Sequence, residues 1–311
     1  MAFLFTLGSR GSPLALAQAH EARRLLAAAL GCEEAAIAVE AIRTSGDLIH
    51  DRPLAEVGGK GLFTKEIDAA LVEGRVDFAV HSAKDLPTSL PAGVAIAGYL
   101  PREDARDAFV SAVADSFAAL PQGARFGAAS LRRQAQARRL RPDLKVEPLR
   151  GNVETRLRKA ETRAIDATLI ALAGLKRLGL SHRARAALDV EAFLPAVGQG
   201  AIALTARAAD ARTLRALAAI GDEATMTALT AERAFLAELS GSCRAPVAGH
   251  ARIVGGGLTL LGQVLRGDGS EAFEVRLSGA PADAALIGGE AGRDLAGRLP
   301  RGLPPSRSDR I

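Results

Sequence analysis

Two places in the chain carry side chains able to do covalent or proton chemistry. The first, Gly241-Ser242-Cys243-Arg244-Ala245-Pro246, sets a thiol among small residues and beside an arginine; the only other cysteine is Cys32. Neighbouring positive charge favours the thiolate, the reactive form. Cys243 therefore reads as a nucleophile or a point of covalent attachment, with a small buried structural thiol as the alternative. The second, His81-Ser82-Ala83-Lys84-Asp85-Leu86-Pro87, follows the short, mostly apolar strand pattern Val76–Val80. Lys84 beside Asp85 is either a solvated ion pair or a carboxylate held for proton transfer or for stabilising a cation. His81 reads as a hydrogen-bonded structural group before a ligand. The five histidines and two separated cysteines have no zinc spacing.

Arginines recur in one context, where a strand pattern ends, a small residue follows and a helix starts. Ser9-Arg10-Gly11-Ser12, Ser130-Leu131-Arg132-Arg133 and Leu149-Arg150-Gly151-Asn152, which precedes the helix carrying Arg156, are the three cases. In a parallel sheet these positions gather at the carboxyl ends of the strands, where α/β ligands bind. Helix N-termini offer free N–H groups to an anion, and arginine adds bidentate recognition of carboxylates. Ordinary capping with surface arginines is the bland alternative. Leu54–Phe63, with Gly58-Gly59-Lys60-Gly61, reads as an active-site lid or a plain surface loop. It is not a phosphate-binding G-x-x-x-x-G-K-[ST] loop, because Gly61 follows Lys60.

The net charge of +5 is uneven: residues 131–163 hold eleven Lys/Arg against four Asp/Glu. Such a segment calls for an anionic partner or is a solvated helix face. It contains no aromatic residue, which argues against single-stranded nucleic acid, whose binders stack bases on aromatic platforms. A cleft around a polyanionic small molecule suits it better. With two cysteines there is no disulfide framework, so a reducing cytoplasm fits. No run of about 18 apolar residues exists for a membrane span, and Met1–Leu7 is too short for a secretory signal.

The elements that must position these residues alternate through two thirds of the 311-residue chain. Strand patterns cover Phe3–Leu7, Ile37–Ile42, Val76–Val80 and Val94–Leu100, with helices from Ser12-Pro13 to Leu30 and over Phe63–Glu73. The run Val76–Val80 suits a buried parallel sheet. The pattern restarts with strands Ala108–Val110, Arg125–Gly127, Lys145–Leu149 and Ala167–Ala171 and helices near Phe117, over Leu131–Leu140 and over Val153–Thr162. Joins fall near Pro101–Asp107 and Leu194–Gly200, and Ala201–Thr205 returns to the first domain. A long helix, Ala224–Leu239, leads to the cysteine turn. Strands Val247–Ile253, Leu258–Leu265 and Phe273–Leu277 then form hairpins, a helix covers Ala282–Leu299, and the tail Arg301–Ile311 reads as disordered. The division is 1–100 with 200–220, carrying the catalytic loops, then 101–199, binding cofactor and substrate carboxylates, then 221–311, an α+β domain with the cysteine.

Ser9-Arg10-Gly11-Ser12-Pro13, Val57-Gly58-Gly59-Lys60-Gly61-Leu62-Phe63, His81–Pro87, Ser130-Leu131-Arg132-Arg133, Leu149-Arg150-Gly151-Asn152-Val153, Ala173-Gly174-Leu175-Lys176-Arg177 and Pro195-Ala196-Val197-Gly198-Gln199-Gly200 follow one another in order. Together with Cys243, this set closely resembles the porphobilinogen deaminase family, over nearly the whole chain and less so after about residue 250. The resemblance implies two periplasmic-binding-protein-like (type II) α/β domains around a cleft and a small C-terminal α+β domain. It implies a dipyrromethane cofactor on Cys243 through a thioether. It also implies condensation of four porphobilinogen molecules into hydroxymethylbilane, with ammonia released, by a cytoplasmic monomer that binds neither nucleic acid nor membrane.

The resemblance further makes Asp85 and Lys84 catalytic. Asp85 would stabilise the positive charge that develops on pyrrole nitrogens when the aminomethyl group leaves as ammonia. Cys243, Ser130, Arg132, Arg133, Lys84, Asp85 and Arg150 would bind the cofactor. Arg10, Ser12, Lys60, Phe63, Arg156, Arg177 and Gln199 would bind substrate. A two-ring primer brings four carboxylates and each added ring two more, which the arginine loops suit. The sequence departs from the family at Glu56, where many relatives carry lysine, and at Ala128-Ala129, where Thr-Ser is common. These departures put one substrate-side charge and two hydroxyl contacts in doubt. A non-catalytic cleft protein for a polycarboxylate is the rival reading, and it gives Cys243 no purpose.

Overall fold

The computed structural model describes residues 3–48, 61–239 and 246–300. Lys60, Glu56, most of Leu54–Phe63, Cys243 and the tail Arg301–Ile311 lie outside the described residues. Contacts divide the chain into one unit of Met1–Glu103 with Gly200–Met226 and a second of Asp104–Gln199 with Thr227–Ile311.

The first unit is built on a five-stranded sheet in the order Ile37–Ile42, Phe5–Arg10, Phe78–Ser82, Ile202–Arg207, Val94–Tyr99. The first three strands run parallel, with Leu7 opposite Phe78, and Ile202–Arg207 runs antiparallel to both its neighbours. The sheet is thus mixed, where a parallel one is expected from the apolar run before His81. The reversed strand returns from the other half of the chain, so no same-side helical crossover fixes its direction. Helix Pro13–Leu30 is set by local chemistry: Ser12 accepts the Ala15 N–H, Pro13 opens the first turn and Gly31 closes it at φ 64°. Its alanine-rich face (Ala19, Ala22, Ala27, with Leu26) lies on Phe5, Leu7, Ile37, Phe78 and Ile202. Ile67, Ala70 and Leu71 of helix Lys65–Val72 cover the other face with Ile42, Val76 and Ala79. Burial on both faces is why Phe78-Ala79-Val80 reads as an unbroken apolar run.

The second unit repeats the plan: Lys145–Glu147, Arg125–Gly127, Ala167–Ala171, Asp107–Ser111, Ala186–Ala187, with Asp107–Ser111 the antiparallel strand. In both sheets the order is 2-1-3-n-4, where n is the strand that arrives from the other half. No helix forms near Phe117. Its ring instead sits edge-on to Phe109, Phe126 and Phe193 at centroid distances of 6.1, 5.7 and 6.3 Å, and the Ser116 hydroxyl holds the turn by accepting the Ala119 N–H. Helices Leu172–Arg177 and Ala211–Ala218 add to the sequence reading.

The C-terminal part of this unit is a three-stranded antiparallel sheet, Val247–Val254, Gly257–Leu265 and Ala272–Gly279. Gly255-Gly256, both at positive φ, make its two-residue turn. Helix Ala284–Arg298 presses Gly288 and Gly292 onto the backbone of helix Glu223–Glu238, where a Cβ on Gly288 would lie 2.1 Å from the Ala231 carbonyl. Among the described residues no helix is long and apolar enough to cross a membrane.

Candidate active site

In the first unit, Arg10, Ser12, Gln18, Phe63, His81, Lys84 and Asp85 line one open hollow. The sheet delivers them. Arg10 ends its strand, Ser12 caps the next helix, and Phe78–Ser82 runs into the short 3-10 turn Ala83–Asp85. That turn is pinned by the Ala83 N–H on the Ala201 carbonyl at 3.0 Å. Lys84 and Asp85 are half-buried, and the Asp85 carboxylate makes no ion pair to a described residue. His81 is buried and shares a 3.2 Å hydrogen bond with the Thr205 hydroxyl. Burial first, and the Arg10 charge second, push its pKa down to about 4. It is therefore a neutral, structural group at ordinary pH, as the sequence reading has it. Beside it, Ser82 and Gln18 exchange hydrogen bonds of 3.0 and 3.1 Å.

Arg10 is already oriented. Its guanidinium grips the Asp47 carboxylate through Nε and Nη2 and stacks on the Phe63 ring, 4.1 Å from the centroid. Thr44 donates to the same carboxylate from its hydroxyl at 2.7 Å and from its N–H at 3.4 Å. Burial works to raise the Asp47 carboxyl, but the hydrogen bonds from Arg10 and Thr44 and the Arg10 charge outweigh it and hold it below the usual carboxylate range. Gly46 lets Phe63 lie against the backbone: a Cβ there would be 2.4 Å from the ring. Ser45 donates to Glu66 from both its N–H and its hydroxyl.

In the second unit, Ser130 caps helix Leu131–Leu140 by accepting the Arg133 N–H at 3.4 Å. The first turn carries Arg132 and Arg133, both buried. Each donates to a different oxygen of one buried carboxylate, that of Asp107, at 2.8 and 2.7 Å. Arg132 also donates to the Leu194 carbonyl at 2.7 Å. Gln199, which the resemblance puts on the substrate side, is 1% exposed. Its amide donates to the Ala105 carbonyl at 2.7 Å and to Asp107 at 2.8 Å. Burial works against the Asp107 charge, but the two guanidiniums hold its carboxyl far below the ordinary range, while burial pulls Arg132 down. Arg150 is half-buried ahead of Gly151, whose φ is 110°. Arg156 donates to the Gly151 carbonyl at 2.9 Å from helix Val153–Glu161, capped by Asn152. Arg177 ends helix Leu172–Arg177, half-buried. The structure thus brings Arg10, Ser12, Phe63, Lys84 and Asp85 together, and separately gathers Arg132, Arg133 and Gln199. Ala128 is buried and Ala129 exposed.

Three functional-looking acids escape sequence reasoning: Asp47, Asp107 and Glu232. Glu232 is fully buried and accepts the N–H groups of Gly198 and Ala251 at 2.6 and 2.8 Å. The signal at Asp107 is an acid set before the apolar run Ala108-Phe109-Val110. No group of three His, Cys, Asp or Glu among the described residues could hold a metal ion.

The family model for the dipyrromethane cofactor-binding domain of porphobilinogen deaminase matches residues 5–215, and that for its C-terminal domain matches residues 226–297. The porphobilinogen deaminase of Nitrobacter winogradskyi is 56% identical over 295 residues, covering 95% of this chain and 93% of the relative. That of Paracoccus denitrificans is 53% identical over 294 residues, covering 94% of each. Among solved structures, a putative methionine-binding lipoprotein of Bacillus subtilis is similar at 15% identity and a TM-score of 0.42, covering 70% of this chain and 89% of that one. A periplasmic substrate-binding protein of an ABC transporter from Coxiella burnetii is similar at 14% identity and a TM-score of 0.44, covering 72% and 94%. On the two family models and these relatives, the chain belongs to the porphobilinogen deaminase family.

Proposed function

We propose that this chain is a hydroxymethylbilane synthase. It joins four porphobilinogen molecules head to tail into the linear tetrapyrrole hydroxymethylbilane, releasing ammonia, as a step of tetrapyrrole biosynthesis. The observation that carries the reading is the cofactor-binding-domain match over residues 5–215. That span includes the hollow lined by Asp85, Arg10 and Lys84.

The residues present fit a polycarboxylate group. Arg132 and Arg133 share one carboxylate, which leaves a positive charge in excess, and the Nε of each is buried without an acceptor. In this reading Ser130, Arg132, Arg133, Arg150, Lys84 and Asp85 hold dipyrromethane and Cys243 carries it. A thioether suits that link because thiols exchange with disulfides and leave a C–S bond intact. When bound, dipyrromethane supplies the free α-carbon from which the tetrapyrrole is extended. Asp85 holds a negative charge beside the pyrrole nitrogens, where positive charge builds as the substrate's amino group departs. Lys84 and Arg10 pair with carboxylates of the rings. Asp47 and Phe63 keep the Arg10 guanidinium in one plane before substrate arrives, so less side-chain freedom is lost on binding. Ser12, Lys60, Arg156 and Arg177 complete the substrate side.

The same reading divides the chain into 1–100 with 200–220, 101–199 and 221–311, and makes it a cytoplasmic monomer. The intermediate exposure of the unpaired Cys32 supports a reducing compartment. The test is to supply the purified protein with porphobilinogen and follow ammonia and product mass together. One ammonia per porphobilinogen consumed and a linear tetrapyrrole are expected. Binding of porphobilinogen with no ammonia released would reduce the chain to a binding protein. Light scattering of the same sample reads its oligomeric state.

A further inference from the structure

The cluster around Asp107 is more built than charge neutralisation needs. Asp107 is 0% exposed, Arg132 4% and Arg133 6%. The two arginines do not compete for one oxygen: Oδ2 takes Nη2 of Arg132 and Oδ1 takes Nη2 of Arg133. Gln199 adds a third donor on Oδ1 and fixes the carboxylate's rotation. The loop Leu194–Gln199 then closes round the pair. The Leu194 carbonyl accepts from Arg132 and from Gln136 at 3.0 Å, and its N–H donates back to Gln136 at 2.8 Å. Farther along, the Pro195 carbonyl accepts the Gly249 N–H at 3.0 Å, and the Gly198 N–H reaches Glu232. Phe193 stands 5.7 Å beneath the Arg132 guanidinium. Two long side chains with many rotamers are thereby reduced to one arrangement, with both Nε hydrogens left without an acceptor.

We propose that Asp107, steadied by Gln199, is the positioning residue that orients Arg132 and Arg133 for the carboxylates of the dipyrromethane primer, so that acquisition of the primer depends on a side chain that does not itself hold it. The inference rests on the reading of Arg132 and Arg133 as primer-binding residues. Its physical basis is that a fixed donor pays its ordering entropy on folding and not on binding. A carboxylate is required for this because it takes one guanidinium on each oxygen. An amide at position 107 offers one acceptor and one donor, and the donor would face an arginine N–H.

The test compares the intact mass of folded, purified variants, which reads primer occupancy without any assay of turnover. Asp107→Asn is expected to carry primer on less than about a tenth of its molecules. Asp107→Glu, which keeps the charge one methylene farther out, should recover part of the occupancy, and Gln199→Leu should lose it a few-fold. Leu169→Ala, in the same core and opposite Phe109 in the sheet, sets the control: its thermal midpoint drops while its occupancy stays native. If Asp107→Asn does not fold, Gln199→Leu and Asp107→Glu decide the matter against the same control. Native occupancy in folded Asp107→Asn, or in Gln199→Leu where that is the variant in hand, overturns the inference. So does a loss of occupancy in Leu169→Ala equal to that of the Asp107 variants, since stability alone would then explain it. Arg132→Leu and Arg133→Leu separate the two layers. Loss of primer in these with native Asp107 variants defeats only the positioning role, while normal loading in them defeats the reading of the arginines and the inference with it.

Discussion

Asp85 and Asp107 carry the same charge in opposite surroundings. Asp107 is buried with a guanidinium on each oxygen. Asp85 is half-buried on the wall of an open hollow. A carboxylate already satisfied by fixed cations has little field left to offer a reacting group, whereas one at a hollow's edge can meet charge as it develops. Asp85→Asn should therefore keep the primer, measured by mass, and lose turnover by about 10²- to 10³-fold, the scale of removing one preorganised electrostatic contact. Asp85→Glu should retain more than Asp85→Asn. Near-native turnover in the amide would remove the Asp85 charge from the catalytic machinery. His81 gives a prediction of another kind. Its folded pKa of about 4 lies below the 6.5 of an unperturbed histidine, so the unfolded chain binds its proton first. The stabilisation is complete above about pH 6.5 and disappears as pH falls through about 4. Between pH 7 and pH 4 the native protein should lose on the order of 3 kcal/mol more unfolding free energy than His81→Gln. Equal losses in denaturant titrations at the two pH values would contradict it.

At the scale of elements, local signals were readable and pairings were not. Helices Pro13–Leu30 and Leu131–Leu140 have the ends the sequence predicts, because Ser12-Pro13 and Ser130 are caps whose chemistry acts within one turn. Ala167–Ala171 is equally legible as a short apolar run. Phe117 misleads because its ring is recruited into an aromatic cluster with partners up to 76 positions away, which no local window contains. The antiparallel direction of Ile202–Arg207 depends on neighbours more than a hundred residues earlier in the chain. Among site residues, the arginine loops stood out by type and spacing, while Asp47 and Asp107 did not, since an acid's partner is chosen by the fold. Gly46 is where element and site meet. Its N–H donates to the Leu62 carbonyl at 2.8 Å, and an added Cβ would fall 2.4 Å from the Phe63 ring. Gly46→Ala should cost about 1–3 kcal/mol of stability, as overpacking does. By displacing the ring under Arg10 it should also raise KM for porphobilinogen while primer occupancy stays native. An unchanged KM would show that the Arg10–Phe63 stack has no part in substrate binding.

For the molecule as a whole, the same 2-1-3-n-4 strand order in two sheets explains why one sequence pattern appears twice, and the third sheet stands apart in being antiparallel throughout. Phe235 of helix Glu223–Glu238 packs onto it, fully buried against Gly249 and Gly262, where the missing side chains make room for the ring. Phe235→Ala should destabilise by about 3–5 kcal/mol through the cavity it leaves, seen as a lower thermal midpoint. Below that transition the primer should remain attached, because the glycines that Phe235 packs on, Gly249 and Gly262, are not among the proposed binding residues. Loss of primer from fully folded Phe235→Ala would mean that the C-terminal packing takes part in holding it. The central claim, that this chain is a deaminase built on its own covalent primer, has a direct test in the intact mass of the purified protein and of Cys243→Ser. The account predicts native protein heavier than its 32.2 kDa chain by one dipyrromethane, and Cys243→Ser at the bare sequence mass and inactive. Native protein at the bare mass that still converts porphobilinogen, or an adduct that survives in Cys243→Ser, would contradict it.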